Sequence, residues 1–409
     1  MPGPASSPLR VVMVGPFGLR PKGTMAARAL PLARALVEGG HSVSLVLPPW
    51  SNPEDSGRRE NDAGVRILNA VLPTAPAPVF HAQLTQRLVE AALAERPDVV
   101  HCFKPKAYSG LVQTTLWGMR KAGRWRGRLV LDSDDWEGAG GWNDLEGYPW
   151  PLRQTFARQE SWGLRHADTL TVASRALETI AWSLGVPREQ VVYLPNGAPP
   201  TVPPDDGAAT RAHWRLGNAP VVLLYTRFFE FGVSRLLDAW QAVAAAVPGA
   251  RLLVVGEGLF GEERALLVEV ARRDLGASVV YAGWPGDAAL PGIFAAADVA
   301  LYPLDDTLVN RTKSPAKLLQ LLGAGVPVVA DGVGQATVYV AHGRGGLLVA
   351  PGAPAAMAEA AISLLRDPAR RAMYAAGAQA WVDAHYRWPS LAARLGAAYR
   401  GETPAGELP

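Results

Sequence analysis

The sequence predicts an α/β protein made of two doubly wound, parallel-sheet domains that face one another. Three observations predict it. Short apolar runs alternate with helix-period segments along nearly the whole chain. The alternation restarts after a Pro-, Asp- and Gly-rich stretch, residues 198–210 (APPTVPPDDGAAT). The chain has 409 residues, more than one core holds comfortably. The expected organisation is a first domain over 1–200, a linker at 201–210 and a second domain over 211–385. A C-terminal helical segment, 386–409, is expected to pack back on the first domain.

In the first half, LRVVMVGP reads as a buried strand closed by Gly15-Pro16, followed by a loop with Gly18 and Gly23. Met25 to Glu38 has helical periodicity and ends at Gly39-Gly40; VSLVLPP is the next strand. A loop with two glycines lets backbone approach a ligand closely, or is a plain connection; no G-x-G-x-x-G dinucleotide fingerprint is present. Residues 50–80 read as loop around one short strand, GVRIL. After a helix from His81, PDVVHCF is a buried strand that Lys104-Pro105-Lys106 leaves. His101 within it is either packed or in contact with a ligand. Residues 128–131 form a strand running into Asp132-Ser133-Asp134-Asp135-Trp136-Glu137, where doubly wound sheets bind ligands. Asp134 and Asp135 there suit ligand hydroxyls or a capped turn. The spacing admits a divalent metal, but loop carboxylates alone are a weak metal signal, and no metal is expected.

The second half opens on APVVLLY and Thr226-Arg227-Phe228-Phe229-Glu230-Phe231-Gly232, and continues through a strand at Arg251–Val255 and SVVYAGW with Trp284. Its centre is 311–331, RTKSPAKLLQLLGAGVPVVAD. Ser314-Pro315 reads as a helix start, with Ser314 as N-cap, Pro315 at the first helical position and Gly323 and Gly325 at the end. Arg311, Lys313 and Lys317 gather at that start, which suits either a phosphate or a solvated cap.

Composition narrows the class. There are 40 basic and 37 acidic residues, a net of +3 without a basic stripe, which argues against nucleic acid. The one cysteine, Cys102, rules out an internal disulfide and fits a reducing cytoplasm. The first residues, MPGPASSPLR, lack the apolar core of a signal peptide, and no apolar run is long enough to span a bilayer.

Taken together, GTMAARALPLARALVEGGHSV, PDVVH, ADTLTVAS, YLPNG, ARLLVVGEG and KSPAKLLQLLGAGVPVVA resemble, in order and spacing, the retaining glycosyltransferases of the large family four, over about residues 10–400. The resemblance implies a GT-B fold of two Rossmann-like domains. It implies transfer of a sugar from a nucleotide-diphosphate donor to an acceptor hydroxyl with retention, needing no further cofactor. Where the family has a Glu pair, this chain has Thr312 and Gln320; Arg227 fits the family's Arg, and Phe231 stands near its Lys. The expected catalytic residues are Arg227, Lys313 and Lys317, charges aimed at the leaving diphosphate. The expected donor contacts are Gly23, Thr312, Ser314, Gln320 and Trp284, and the expected acceptor contacts are Asp134, Asp135 and His101. The acceptor is a sugar, a lipid-linked molecule or a small molecule. Peripheral contact at the inner membrane surface, through Trp117, Arg124, Trp125, Arg126 and Arg128, is weighed against a solvated helix end. Two other readings stay open: a non-catalytic nucleotide-binding or scaffold protein, and a sugar-nucleotide epimerase.

Overall fold

The computed structural model describes residues 7–20, 23–200 and 206–409. Of the expected linker, 201–205 lie outside the described residues, and the helix Ala208–His213 already begins within its remainder. Contacts divide the chain into two compact units. The first holds the residues up to Gly197 together with Thr312–Ser314 and Trp388–Leu408; the second holds Ala198–Arg311 and Pro315–Arg387.

The first unit is built on eight strands: β1 (Arg10–Val14), β2 (Ser42–Leu47), β3 (Arg59–Asp62), β4 (Val65–Asn69), β5 (Val99–Phe103), β6 (Arg128–Ser133), β7 (Thr169–Val172) and β8 (Val191–Tyr193). Their order is β3-β4-β2-β1-β5-β6-β7-β8, all parallel except β3 against β4. The second unit has β9 (Val221–Tyr225), β10 (Arg251–Val255), β11 (Val279–Gly283), β12 (Val299–Tyr302), β13 (Val328–Asp331) and β14 (Gly346–Val349), ordered β11-β10-β9-β12-β13-β14 and parallel throughout. In each sheet the chain winds outward one way and then the other. This leaves a switch point beside β1 and β5 in the first sheet and beside β9 and β12 in the second.

Alternation decides where the strand side chains go. Val11 and Met13 of β1 feed one core of the first unit, and Val12 and Val14 the other. Val221, Leu223 and Tyr225 of β9 are likewise separated from Val222 and Leu224. A sheet covered on both faces needs apolar residues at every position, hence the continuous apolar runs. The helix Trp388–Arg400 lays Trp388, Leu391, Leu395 and Tyr399 into the first unit's core.

Three local expectations are corrected. The stretch read as loop at 50–80 holds a second strand, β3, paired antiparallel with β4. Its sequence, REND, is almost wholly exposed, so it carries no apolar alternation to detect. The single helix expected over Met25–Glu38 is a π-turn, Met25–Ala29, followed by an α-helix, Leu30–Glu38. Such turns occur often at functional sites. Ser314 is not the N-cap: the helix runs Ala316–Gly323 with Pro315 as its N-cap and no side-chain cap bond. The expected C-terminal glycines hold, with Gly325 at φ +76°.

Arg28, in the π-turn, is 1% exposed. Its Nε and Nη2 donate to the two carboxylate oxygens of Asp132 at 2.8 and 2.6 Å. It also donates to Leu194 O at 2.8 Å and to Asn196 Oδ1 at 3.1 Å. Burial pushes the Asp132 carboxyl up, but the guanidinium beside it, with help from His101 and the Thr171 hydroxyl, leaves it below the usual range. Removing one partner strands a buried charge. Arg28→Ala is therefore expected to lower stability by about 3–5 kcal/mol in urea denaturation at neutral pH, and Arg28→Met combined with Asp132→Leu to recover much of that loss.

Candidate functional site

Next to the switch point of the first sheet, the carboxyl ends of β5 and β6 bring together a buried group of charges. Lys104, at φ +58°, follows β5 and is 7% exposed. Its Nζ lies 3.0 Å from Asp134 Oδ1, 2.9 Å from Asp135 Oδ2 and 3.1 Å from Glu137 Oε1. Lys106 Nζ is 2.8 Å from Glu137 Oε2 and lies over the Tyr148 ring at 4.7 Å. Glu160 is fully buried; its Oε2 accepts from the Glu137 N–H at 2.9 Å, and its Oε1 has no partner among the described residues. Burial first, then the Glu137 charge, holds the Glu160 carboxyl well above the usual range. Asp134 is pushed up to about 6, chiefly by burial, while Lys104 opposes and Asp135 adds to the rise. Asp135 lies below its ordinary value: burial raises it, and Lys104, a Trp142 hydrogen bond and the Lys313 charge together outweigh that. Lys313, 7% exposed, contributes its charge to Asp135 as well. Asn143 is 2% exposed, and neither atom of its amide has a partner among the described residues.

This alters the expected acceptor group. Asp134 and Asp135 do come together at a strand end, but their carboxylates are taken up by Lys104. His101 is corrected outright: it is fully buried, its Nδ1 lies 2.8 Å from the Tyr399 hydroxyl and its Nε2 lies 3.3 Å from Thr171 Oγ1. Burial lowers it to about 4, so the ring is a neutral packing group with no surface to offer a ligand. Trp117 packs edge-on against Trp162 at 5.4 Å, Trp125 packs against the core, and Arg128 donates to Thr169 Oγ1 at 2.8 Å. Those three are structural; Arg124 and Arg126 are exposed.

The donor expectations divide. Thr312 is fully buried, and its carbonyl accepts from Ser174 Oγ at 2.5 Å. Ser314 Oγ accepts from Asn196 N–H at 3.1 Å, and Ser314 O accepts from Asn196 Nδ2 at 2.7 Å. Both are thus tied to the first unit's framework, as is Lys313 between them. Gly23 is exposed, and a Cβ there would meet nothing within 4 Å.

Arg227, Lys317 and Trp284 form a separate group at the second switch point, around Tyr225 at the end of β9. Lys317 Nζ stands 3.5 Å from the Tyr225 ring centroid and 5.1 Å from that of Trp284. The two rings are nearly parallel, 9° apart in plane with centroids 6.1 Å apart. Trp284 is 39% exposed. Burial, aided by Asp287, keeps the Tyr225 hydroxyl protonated, against the opposing Arg227 charge. Arg227 is exposed, and Gln320 is half-buried, one turn along the same helix as Lys317.

Sequence reasoning missed Arg28, Lys104, Lys106, Glu137, Glu160 and Asn196 as members of these sites. A signal existed for three of them: Lys104 and Lys106 follow one strand, and Glu137 follows the strand beside it.

The comparisons with known proteins agree with this architecture. Residues 23–197 match the family described as "Glycosyl transferase 4-like domain" and residues 219–367 the one described as "Glycosyl transferases group 1". The GDP-mannose-dependent alpha-(1-6)-phosphatidylinositol monomannoside mannosyltransferase of Mycobacterium tuberculosis (strain ATCC 25618 / H37Rv) is 25% identical over 389 residues, covering 91% of this chain and 93% of its own. The phosphatidyl-myo-inositol mannosyltransferase of Mycobacterium leprae (strain TN) is 25% identical over 405 residues, covering 97% and 98%. A solved sucrose-phosphate synthase from Thermosynechococcus elongatus shares the fold with a TM-score of 0.72 at 22% identity, covering 96% of this chain and 98% of its own.

Two α/β units, each wound about a parallel sheet, define the fold as GT-B. The chain belongs to the glycosyltransferases whose first half is the 4-like domain and whose second half is the group 1 domain.

The buried carboxyl of Asp134 gives a pH prediction. Its folded value of about 6 lies above its ordinary 3.8, so its contribution to stability is complete below 3.8 and is lost as pH rises through 6. From pH 5 to 7 the native protein should lose on the order of 1 kcal/mol relative to Asp134→Asn, read from urea midpoints across that range. Parallel curves for the two proteins would mean that Asp134 is ionised throughout.

Proposed function

We propose that the protein transfers a sugar from a nucleotide-diphosphate donor to an acceptor hydroxyl with retention of configuration, with GDP-mannose as the first donor to test. The observation that carries this is the basic and aromatic group at the second switch point, with Lys317 held on Tyr225 beside Trp284. The donor is chosen because two relatives that align over nine-tenths or more of this chain are named for mannosyl transfer, one of them for GDP-mannose.

Chemistry at such a site turns on departure of the diphosphate. A fixed ammonium stabilises the negative charge that grows on the leaving oxygens more than it stabilises the bound donor, so it acts on rate. The Tyr225 ring 3.5 Å from the Lys317 ammonium supports this role, since it limits the positions the ammonium samples. Arg227 adds a second, more mobile charge and a fork suited to two phosphate oxygens. The start of the helix Ala316–Gly323 adds partial positive charge. Gln320 can accept from a ribose hydroxyl, and Trp284 offers a half-exposed ring to the base. Lys313 acts instead as a counter-ion for Asp135. No resident cofactor or metal is invoked.

The acceptor is proposed to be lipid-linked and met at the inner membrane surface. Trp150 is 68% exposed, with Leu145 and Leu152 also exposed beside Arg153 and Arg158, a mixture suited to a lipid–water boundary. No helix among the described residues is long and apolar enough to cross a membrane.

The test is sugar transfer by the full chain from GDP-mannose, with UDP-glucose as comparison, and the anomeric configuration of the product read by NMR. Lys317→Met should lower kcat about 10²–10³-fold with a smaller change in KM. An inverted product would overturn the retaining mechanism, and an unchanged kcat in Lys317→Met would remove that residue from the chemistry.

A further inference from the structure

A cavity of about 330 Å³ lies between the helices Leu30–Glu38 and Trp388–Arg400 of the first unit, lined by Ala35, Leu36, Pro389, Ala392 and Ala393, with His41 and Arg400 at one end. That volume falls at the small end of ligand pockets. His41 immediately precedes β2, whereas Lys104 and Asp134 follow β5 and β6. The strands are parallel, so the cavity lies at the opposite edge of the sheet from the charged cluster.

Two nitrogens converge on it. His41 Nδ1 accepts from the Leu9 N–H at 3.1 Å, so the neutral ring carries its proton on Nε2. Arg400 Nε is bound by both oxygens of Glu402 at 3.1 Å, while Arg400 Nη1 is buried with no partner among the described residues. Gly396 shows where the two meet. A Cβ built on it would lie 3.4 Å from His41 Nε2 and 3.8 Å from Arg400 Nη1. The space that glycine leaves open is within reach of both donors.

Nearby acceptors are already used. At the end of the first helix, the Ala35, Leu36 and Val37 carbonyls accept from Gly39, His41 and Gly40, and at the end of the second, Ala397 and Ala398 accept from Glu402 and Gly401. Glu38 also lines the cavity and is exposed to solvent. What remains is donor-rich at one end and apolar along the walls. Burial, and then the Arg400 charge, lowers the His41 pKa, as a positive field at the ring requires. We propose that this cavity binds a small organic anion, a monocarboxylate with a short alkyl body, its oxygens between His41 Nε2 and Arg400 Nη1 above Gly396. The site is separate from the glycosyl-transfer reading and does not depend on it.

The probe is octanoate, titrated calorimetrically into the full chain, with 1-octanol and octylamine as neutral and cationic counterparts. Saturable one-site binding of octanoate, at least tenfold tighter than of either counterpart, is expected. Gly396→Ala places a methyl group in ordinary contact inside a helix, where Ala is the better helix former, so its melting temperature should equal or exceed that of the native protein while octanoate affinity falls at least tenfold. Arg400→Gln should weaken octanoate about tenfold and leave octanol unchanged. A bound anion should also raise the His41 pKa in an NMR titration. Equal binding of octanol, full octanoate affinity in either variant, or no saturable binding at millimolar concentration would each overturn the proposal.

Discussion

The buried pair of Arg28 and Asp132 is the interaction on which the carboxyl end of the first unit's sheet depends. Two charges removed from water at 0–1% exposure hold only if every remaining proton and lone pair finds a partner. Here the partners come from distant parts of the chain: Thr171 Oγ1 at 2.6 Å from Asp132, and Leu194 and Asn196 on Arg28. Asn196 in turn grips Ser314 through both its backbone and its side chain. The π-turn after the first glycine loop, the ends of β6 and β8, and the segment before the Ala316–Gly323 helix are thereby fixed by one network.

Two ways of handling charge coexist in this protein. In the first unit the lysines and carboxylates are buried against each other, with the Glu160 carboxyl held well above the usual range and Asp134 pushed up to about 6. Such a cluster is stiff, since moving any member strands another. At Tyr225 in the second unit, Lys317 rests on an aromatic face and Arg227 is exposed.

The sequence carried the fold far because parallel sheets covered on both faces demand unbroken apolar strands, and those runs are easy to read. Where a strand met water on both faces, as in β3, the signal vanished. Arg227, Lys317 and Trp284, each next to a strand end or helix start, do gather around Tyr225. The sequence was misread at His101, whose strand position cannot reveal that Tyr399, nearly three hundred residues on, packs against its ring.

By itself, the sequence determined the two α/β halves, the positions of the strand ends and the residue types gathered there, because periodicity of 2 and 3.6 is a local property of the chain. Only the tertiary structure decided which of those charges neutralise one another. Lys104 meets Asp134 and Asp135 because β5 and β6 are neighbours, Arg28 reaches Asp132 across 104 positions, and Ser314 is taken from its helix by Asn196. Pairing across such separations follows from strand order and desolvation, and neither is written in the spacing of a single segment.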